Sequence, residues 1–406
     1  MKFRARWVFP VDAPPIENGV VEIENGRITA LHGSPSGAET DLGNAALLPA
    51  LVNCHAHLEF SSLAEPLAPA TPFTSWIKSL VAYRRSRTTP VVDSIREGLT
   101  QSLQSGVGLI GEIATIDWPL EFDRADAPSL VVFRECLGRT PEQQRIQLES
   151  ARRHLELGNQ APNSKGLSGP HPIHGISPHA PYSVHPDLLR DLVSLAVEFD
   201  APVAMHLAET RAELELLKNG TGEFAEMLRQ FGAWDPSIFD GSRTILDDLH
   251  QLSRASHPLV IHGNYLTEEE IEFLADRKQF SVIYCPRTHH YFGHVDHPWK
   301  RLLQRGVNVA LGTDGRGSNP DLSIWDEVAF LAHRAAPEDL AGLLSMATLK
   351  GARALGVERE FGSLTPGKTA RLIAIPLDRA SEGTNPYRVL FSANSSPRTV
   401  SLEPVE

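Results

Sequence analysis

Five side chains in this sequence are of the types that bind metal ions and move protons: His55, His57, His206, His262 and Asp314. His55 and His57 are two residues apart, so in an extended strand both imidazoles point to the same side. Imidazole is the commonest metal ligand in proteins near neutral pH. The pair alone is weak evidence, because the chain contains 17 histidines. The pattern indicates a metal site beside a carboxylate, provided that the fold brings the five side chains together.

Each of these side chains stands at or just after the end of a short apolar run. The runs are Ala46–Val52, Ala201–Met205, Leu259–Ile261 and Val307–Gly312. In a (β/α)₈ barrel the C-terminal ends of the strands meet at one rim, where catalytic groups lie. Simpler interpretations stay open at this point: His206 or His262 alone fits a strand-ending histidine without a catalytic role, and Asp314 followed by Gly315 fits a turn.

Eight candidate strands alternate with amphipathic segments through the middle of the chain. They are Ala46–Val52, Val107–Ile113, Ser129–Arg134, Gly175–Ser177, Pro202–His206, Pro258–His262, Ser281–Tyr284 and Val307–Gly312, with helices predicted, for example, at Pro186–Glu198, Thr267–Arg277 and Asp326–Arg334. Thr267 and Glu270 have the spacing of a capping box. The alternation predicts a (β/α)₈ TIM-type barrel over residues 49–358. A doubly wound sheet is the alternative, but no Gly-rich phosphate motif follows any strand.

The two chain ends have a different pattern, rich in short β segments. Asn25-Gly26 separates the runs Val20–Ile23 and Arg27–Leu31, which is a strong hairpin signal. Similar material recurs at Ala370–Ile375. We therefore predict a small β-sandwich domain built from both ends, with residues 1–48 and 359–406 as its two parts.

Composition excludes several classes of protein. The 406 residues are 41% hydrophobic and 22% charged, as in an ordinary globular chain, and the net charge of −12 argues against a nucleic-acid partner. Three widely spaced cysteines, Cys54, Cys136 and Cys285, fit reduced thiols and not a disulfide framework. The sequence predicts no signal peptide and no membrane span. We expect a cytoplasmic homodimer without a nucleic-acid or membrane partner.

Longer motifs around the five residues resemble the metal-dependent amidohydrolase superfamily. The motifs are His55-Ala56-His57, His206-Leu207-Ala208-Glu209, Val260-Ile261-His262-Gly263-Asn264 and Leu311-Gly312-Thr313-Asp314, together with Ser177–Ser183, Cys285-Pro286, Ser318-Asn319 and Gly362–Lys368. More narrowly, they are similar to the branch of triazine chlorohydrolases, guanine deaminase and the deaminases of S-adenosylhomocysteine, methylthioadenosine and aminodeoxyfutalosine. The resemblance covers nearly the whole chain.

The resemblance implies one divalent metal ion, Zn²⁺ or Fe²⁺, bound by His55, His57, His206 and Asp314. Three imidazoles and a carboxylate suit either ion. It also implies that the metal lowers the pKa of a bound water, so that hydroxide attacks the substrate.

Catalytic roles for three residues are implied in the same way. Asp314 would accept the proton of the attacking water, and His262 would steer the hydroxide without being a primary ligand. Glu209 would protonate a ring nitrogen beside the carbon that is attacked, as a carboxylate does in unrelated zinc deaminases.

Substrate contacts are predicted at His179, Trp76, Arg134, Arg287, His289 and Asn319. Arg287 and His289 would hold an acidic substituent, although a surface loop is an equal alternative. Trp76 would stack on a purine, or else belong to the apolar stripe of a short helix. Arg134 with Glu135, and Glu112, are pocket candidates that also fit structural ion pairs.

The combined prediction is a metal-dependent hydrolytic deaminase of a small N-heterocyclic substrate. An adenine-type nucleoside such as aminodeoxyfutalosine is the leading candidate. The alternatives are a triazine-type chlorohydrolase that uses the same site, and a metal-binding barrel that has lost catalysis.

Overall fold

The N-terminal segment forms seven short strands in a computed structural model that describes residues 1–34, 37, 39–124, 126–160, 172–378, 385–392 and 396–400. The strands are β1 (Lys2–Arg4), β2 (Trp7–Val8), β3 (Ile16–Glu17), β4 (Val20–Glu24), β5 (Arg27–His32), β6 (Thr40–Asp41) and β7 (Ala45–Pro49). β4 and β5 form the predicted hairpin, with φ of 50° at Asn25 and 72° at Gly26. Two consecutive positive φ values are the geometry that makes Asn-Gly a favoured hairpin turn.

The middle of the chain forms a barrel of eight parallel strands. They are β8 (Leu51–Ala56), β9 (Val107–Ala114), β10 (Ser129–Cys136), β11 (Ile173–Pro178), β12 (Val203–Leu207), β13 (Pro258–His262), β14 (Ser281–Tyr284) and β15 (Asn308–Leu311). Neighbours in the sheet follow the order of the chain. A bridge between Ala56 and Asp314 brings the last strand back to the first. The (β/α)₈ barrel is confirmed. The doubly wound alternative is wrong, because the strand order of a doubly wound sheet reverses, whereas the strands of this sheet follow the order of the chain.

Helices connect the barrel strands and continue after the last of them. They are α1 (Phe73–Ser86), α2 (Val91–Gln104), α3 (Pro141–Gln160), α4 (Pro186–Phe199), α5 (Arg211–Asn219), α6 (Gly222–Gln230), α7 (Ile245–Leu252), α8 (Glu268–Ala275), α9 (Pro286–Tyr291), α10 (Trp299–Gln304), α11 (Ile324–Ala332), α12 (Leu340–Met346), α13 (Leu349–Ala354) and α14 (Pro386–Phe391). The capping box predicted at Thr267 and Glu270 is present at the start of α8. In the part of the chain that the structure describes, no helix is long and apolar enough to cross a membrane.

The bounds predicted for the first barrel strand, Ala46–Val52, are wrong, because this range spans parts of two strands that lie in different sheets. β7 belongs to a terminal sheet, whereas β8 begins the barrel. The chain changes sheets at Pro49 and Ala50, where proline has no backbone N–H to donate and the Ala50 N–H donates to the Arg371 carbonyl at 2.8 Å. His55 consequently lies on the barrel strand itself and not beyond its end.

The chain ends form two small sheets, and one of these contains strands from both ends. The C-terminal strands β16 (Leu372–Pro376) and β17 (Arg398–Thr399) join a sheet in which β16 pairs with β7. The other sheet contains β1, β4, β5 and β6. A shared core joins the two sheets: Val21 and Ile28 from one pack with Leu47 and Leu372 from the other. The predicted small β domain from both termini is confirmed, while its bounds, 1–48 and 359–406, stay a prediction. Residues 35, 36, 38, 379–384, 393–395 and 401–406 of these two parts lie outside the described residues.

The barrel interior is filled by its own apolar layer. Inward residues such as Leu109, Phe133, Ile261 and Ile283 pack with residues 352–361, which follow the last barrel strands. A filled interior makes the barrel a rigid platform and not a pore. The chemistry-bearing side chains therefore lie at the rim, on positions whose backbone is held by the sheet.

Removal of residues 372–406 should lower the thermal unfolding temperature of the whole chain, because it strips β16 from β7. The single change Ile375→Ala should cost about 2–5 kcal/mol of unfolding free energy through the cavity it leaves. Arg398→Ala, an exposed position on β17, is the control and should change little. Calorimetry of the three variants makes the comparison. A truncated chain with unchanged unfolding temperature would contradict the shared domain.

Candidate active site

Three histidines meet at the C-terminal rim of the barrel. His55 lies on β8, His57 follows that strand, and His206 lies on β12. Each offers a ring nitrogen, and these nitrogens lie within 4.8 Å of one another. All three side chains are buried. The pairing of β8 is irregular between Asn53 and Ala56, a distortion of the kind that re-aims side chains beside active sites.

The hydrogen bonding of the three rings fits a bound cation. Both ring nitrogens of His55 and the Nδ1 atom of His57 are buried without a hydrogen-bond partner. His206 Nδ1 donates to the His179 carbonyl oxygen at 2.9 Å, which leaves Nε2 as the free lone pair. Burial, with the neighbouring His55, lowers the pKa of His57 and His206 well below the usual range. Neutral imidazoles with free lone pairs are the form that binds a divalent metal.

Asp314 brings a carboxylate to the same cluster. Its Oδ1 atom lies 3.6 Å from the Nε2 atoms of both His55 and His57. Its Oδ2 atom accepts a hydrogen bond from Ser318 Oγ at 2.7 Å. Asp314 has a φ of 60°, in the left-handed region that non-glycine residues rarely adopt. The four predicted ligands are thus together, and the donor set suits Zn²⁺ or Fe²⁺.

Glu209 and His262 form a pair beside this cluster. Glu209 Oε1 lies 3.4 Å from His262 Nε2, and both side chains are buried. Burial, and then the charge of Asp314, raise the pKa of Glu209 well above its usual value. Asn264 Nδ2 donates to the Glu209 carbonyl oxygen at 2.9 Å. A carboxyl group that keeps its proton in this position has the properties of a general acid.

Asn53 is a positioning residue that the sequence analysis missed. Its Nδ2 atom donates to Thr313 Oγ1 at 2.8 Å, and its Oδ1 atom accepts from the Thr313 backbone N–H at 3.1 Å. It is fully buried where β8 meets β15. The signal was available, since an amide two residues before His55 within an apolar strand needs a polar partner.

One cavity of about 460 Å³ opens onto the cluster, and His179 and Trp76 both line it. His179 Nδ1 lies 2.6 Å from Ser183 Oγ. Trp76 Nε1 donates to the Gly317 carbonyl at 2.9 Å, and its ring contacts Phe73 with a centroid distance of 5.4 Å. These two predicted substrate contacts therefore face the space that a substrate would occupy.

Arg134 and Arg287 were predicted as substrate contacts, but neither is among the residues that line this cavity. Alternation along β10 turns Arg134 outward, where Nε donates to Ser150 Oγ of α3 at 3.2 Å. Arg287 is neutralised by two carboxylates: Nε donates to Glu327 at 2.7 Å and Nη1 to Asp321 at 2.9 Å. Both guanidinium groups hold the helical layer together.

His289 and Asn319, two more predicted substrate contacts, are also absent from the cavity lining. His289 is buried and packs edge-on to Tyr284, with ring centroids 5.6 Å apart. Asn319 Nδ2 donates to the Thr313 carbonyl at 2.7 Å and to Glu327 at 2.6 Å. Asn319 therefore supports the turn after β15. Glu112 is likewise structural, since it accepts a hydrogen bond from the Leu58 backbone N–H at 3.0 Å.

Besides the predicted metal and catalytic residues, three charged residues outside the six predicted substrate contacts line the cavity: Arg84, Glu135 and Arg139. Of these, Glu135 was a pocket candidate in the sequence. Arg84 continues the stripe of α1 that contains Trp76 and Leu80, at helical spacing, and this was the signal in the sequence. Glu135 points inward by the same alternation that turns its neighbour outward, and burial raises its pKa to about 7. No sequence pattern marks Arg139.

This chain is similar to several deaminases in sequence or in fold. A 5-methylthioadenosine/S-adenosylhomocysteine deaminase of Moorella thermoacetica is 29% identical over 389 residues, covering 91% of this chain and 84% of that protein. An aminodeoxyfutalosine deaminase of Nitratiruptor sp. is 28% identical over 349 residues, covering 84% and 82%. The crystal structure of Helicobacter pylori aminofutalosine deaminase has the same fold, with a TM-score of 0.81, 22% identity and coverage of 98% of each chain.

The family itself follows from a match over most of the sequence. The model of the amidohydrolase family matches residues 46–400, which include the barrel and β16 of the terminal domain. The chain therefore belongs to the amidohydrolase family, whose members are metal-dependent hydrolases.

Proposed function

We propose that this protein is a hydrolytic deaminase of adenine-type nucleosides, with aminodeoxyfutalosine as the leading substrate. The observation that carries the proposal is the buried pair of Glu209 and His262, 3.4 Å apart, beside a cluster that fits a divalent cation. Hydrolytic deamination needs an acid that protonates the ring and an activated water molecule close to the carbon that bears the amino group. The names of the relatives from Moorella and Nitratiruptor support the adenine-type substrate.

His55, His57, His206 and Asp314 would hold the metal ion. When bound, the ion supplies Lewis-acid activation of water. Asp314, whose Oδ1 atom faces the histidines while Oδ2 accepts from Ser318, would take the proton of the attacking water. Zn²⁺ or Fe²⁺, a single ion per chain, a homodimer and a cytoplasmic location are parts of this proposal that await measurement.

Glu209 acts on the heterocycle. Its raised pKa keeps a proton that it donates to the ring nitrogen next to the amino-bearing carbon, which makes that carbon electrophilic. His262 is neutral, since burial lowers its pKa well below the usual range, and it orients the water without adding a charge. Asp314 then passes the water proton to the amino group, which leaves as ammonia. The second proton of the water returns to Glu209, and the water oxygen remains on the ring carbon as a carbonyl.

The cavity supplies the groups that would hold a nucleoside. Trp76 offers an aromatic surface against which a purine packs. His179 and Glu135 offer hydrogen-bonding atoms on the opposite, strand side, where His179 Nε2 lies 4.0 Å from Glu135 Oε1. An apolar wall with a few polar groups is typical of sites for small organic substrates.

Purified protein should release ammonia from aminodeoxyfutalosine, S-adenosylhomocysteine or methylthioadenosine, and more slowly from guanine or pterins. A coupled ammonia assay measures the rates, and atrazine-type triazines provide the comparison for chloride or amine release. Turnover of triazines alone would transfer the assignment to the chlorohydrolase alternative. Bound metal without turnover of any compound would support an inactive barrel.

Protein purified without added metal should contain about one Zn or Fe per chain. The reason is that the donor atoms of three buried histidines converge and lack other partners. Elemental analysis by mass spectrometry is the measurement, with His55→Ala as the metal-free comparison and His289→Ala as the control outside the cluster. A wild-type protein that lacks metal, and regains none on soaking, would refute the site.

Glu209→Gln should bind metal normally yet lose on the order of 10²–10⁴ in kcat, because glutamine keeps the size but cannot cycle a proton. Asp314→Asn should lose both metal content and rate, since it alters a ligand as well as a base. Metal content and kcat of the two variants separate the roles. Near-normal turnover of Glu209→Gln, or loss of its metal while Asp314→Asn retains metal, would reverse the assignment.

A further inference from the structure

The backbone of His262 accepts a hydrogen bond from a second histidine that is distant in the sequence. His297 Nε2 lies 2.7 Å from the His262 carbonyl oxygen, and since a carbonyl only accepts, Nε2 carries a proton and donates it. The pairing of β13 with β14 ends at Ile261, so this carbonyl lies beyond the ladder between the two strands. His262 has a φ of 67°, a conformation that persists only where surrounding contacts hold it. The bond from His297 is one of those contacts.

The ring of His297 is held in the orientation that makes this bond. It stacks on Tyr284, with ring centroids 3.9 Å apart and an angle of 17° between the planes. His289 packs edge-on to both rings, with centroid distances of 5.6 and 5.8 Å. Burial lowers the pKa of His297 to about 3, and the bond to the His262 backbone is a weaker opposing influence. The imidazole is therefore neutral, and its one N–H is the Nε2–H that points at His262.

Packing alone does not account for a histidine at this position. The Nδ1 atom of His297 is buried and lacks a hydrogen-bond partner among the residues described. A buried polar atom without a partner destabilises a fold, so an apolar ring would fill the same space at a lower cost. The interaction that an apolar ring would lose is the hydrogen bond to the His262 carbonyl.

The site depends on where the His262 ring stands. Its Nε2 atom lies 3.4 Å from Glu209 Oε1. The backbone N–H of the next residue, Gly263, donates to the Leu207 carbonyl at 3.0 Å, which ties the turn after β13 to β12. His297 ties the same turn to the segment after β14. Displacement of a catalytic group by about 1 Å costs on the order of 10² in rate, so a bond that fixes this turn bears directly on the chemistry.

We propose that His297 is a positioning residue that fixes the His262 imidazole where it orients the attacking water. The inference rests on the proposed function and adds to it a residue that acts through His262. His297 is not among the residues that line the cavity, so it has no contact with the substrate. Loss of its N–H should therefore lower kcat and leave KM and metal content unchanged.

Two substitutions separate the donor from the ring. His297→Phe keeps a ring against Tyr284 but has no donor, and it should lower kcat about 10- to 100-fold. His297→Gln has no ring but places an amide N–H near the position of Nε2, and its kcat should be within about threefold of the wild-type value. His290→Phe, at an exposed histidine of α9, is the control and should change neither constant. A coupled ammonia assay with methylthioadenosine, S-adenosylhomocysteine and aminodeoxyfutalosine gives kcat and KM, and elemental analysis gives the metal content.

A double variant shows whether His297 acts through His262. In a His262→Ala background, His297→Phe should lower kcat by no more than about twofold further, because the effects of residues in one network are not additive. A second loss as large as that in the wild-type background would show a general effect on the fold and would overturn the inference.

The remaining outcomes also decide between the two proposals. A normal kcat of His297→Phe, an equal loss in His297→Gln, or a loss of metal from His297→Phe would each overturn the role of His297 and leave the deaminase in place. If His297→Phe does not fold, His297→Gln decides: a kcat within about threefold of wild type supports the donor role, and a larger loss overturns it. No ammonia from any adenine nucleoside with the wild-type protein would refute the proposed function and the inference that rests on it.

Discussion

The contact between the first and eighth barrel strands is the constraint on which the site depends. There the His55 carbonyl oxygen accepts hydrogen bonds from the backbone N–H groups of Thr313 and Asp314, at 3.1 and 3.0 Å. Gly312 allows this approach, because a Cβ at that position would lie 2.8 Å from the His55 Cβ. The bonds that close the sheet thus also hold two members of the cluster, His55 and Asp314, against each other. A barrel that opened here would lose its site and its closure together.

Backbone strain at the rim is the second requirement of the site. Ala208, His262 and Asp314 have φ values of 51°, 67° and 60°, and each such residue costs on the order of 1–3 kcal/mol. The Glu213 carboxylate offsets part of this cost, since it accepts from the backbone N–H groups of Ala208 at 3.1 Å and Glu209 at 2.8 Å. The turn at Ala208 directs Glu209 into the cavity immediately after β12. The rigid barrel supplies the stability that lets three strained positions persist where the chemistry is placed.

Features that depend on neighbouring residues were predictable from the sequence, and features that depend on distant partners were not. The hairpin at Asn25, the cap at Thr267 and the ligand-type residues at strand ends are all local patterns. The change of sheet at Pro49 was missed because β7 and β8 are both buried throughout, and a continuous apolar run does not indicate which sheet it joins. Alternation along β10 decides that Glu135, and not Arg134, faces the cavity.

Two arginines, one in the cavity lining and one outside it, show how carboxylates that are distant in the sequence determine the role of an arginine side chain. Arg287 forms an ion pair with Glu327, 40 residues further along the sequence, so its charge stabilises the packing of the helices. Arg84 reaches back 25 residues to Glu59, which is buried and lies two residues after His57. This ion pair ties α1, which forms one wall of the cavity, to the segment that carries a metal-site histidine. The helix that lines the cavity through Trp76 and Arg84 is therefore anchored two residues away from His57.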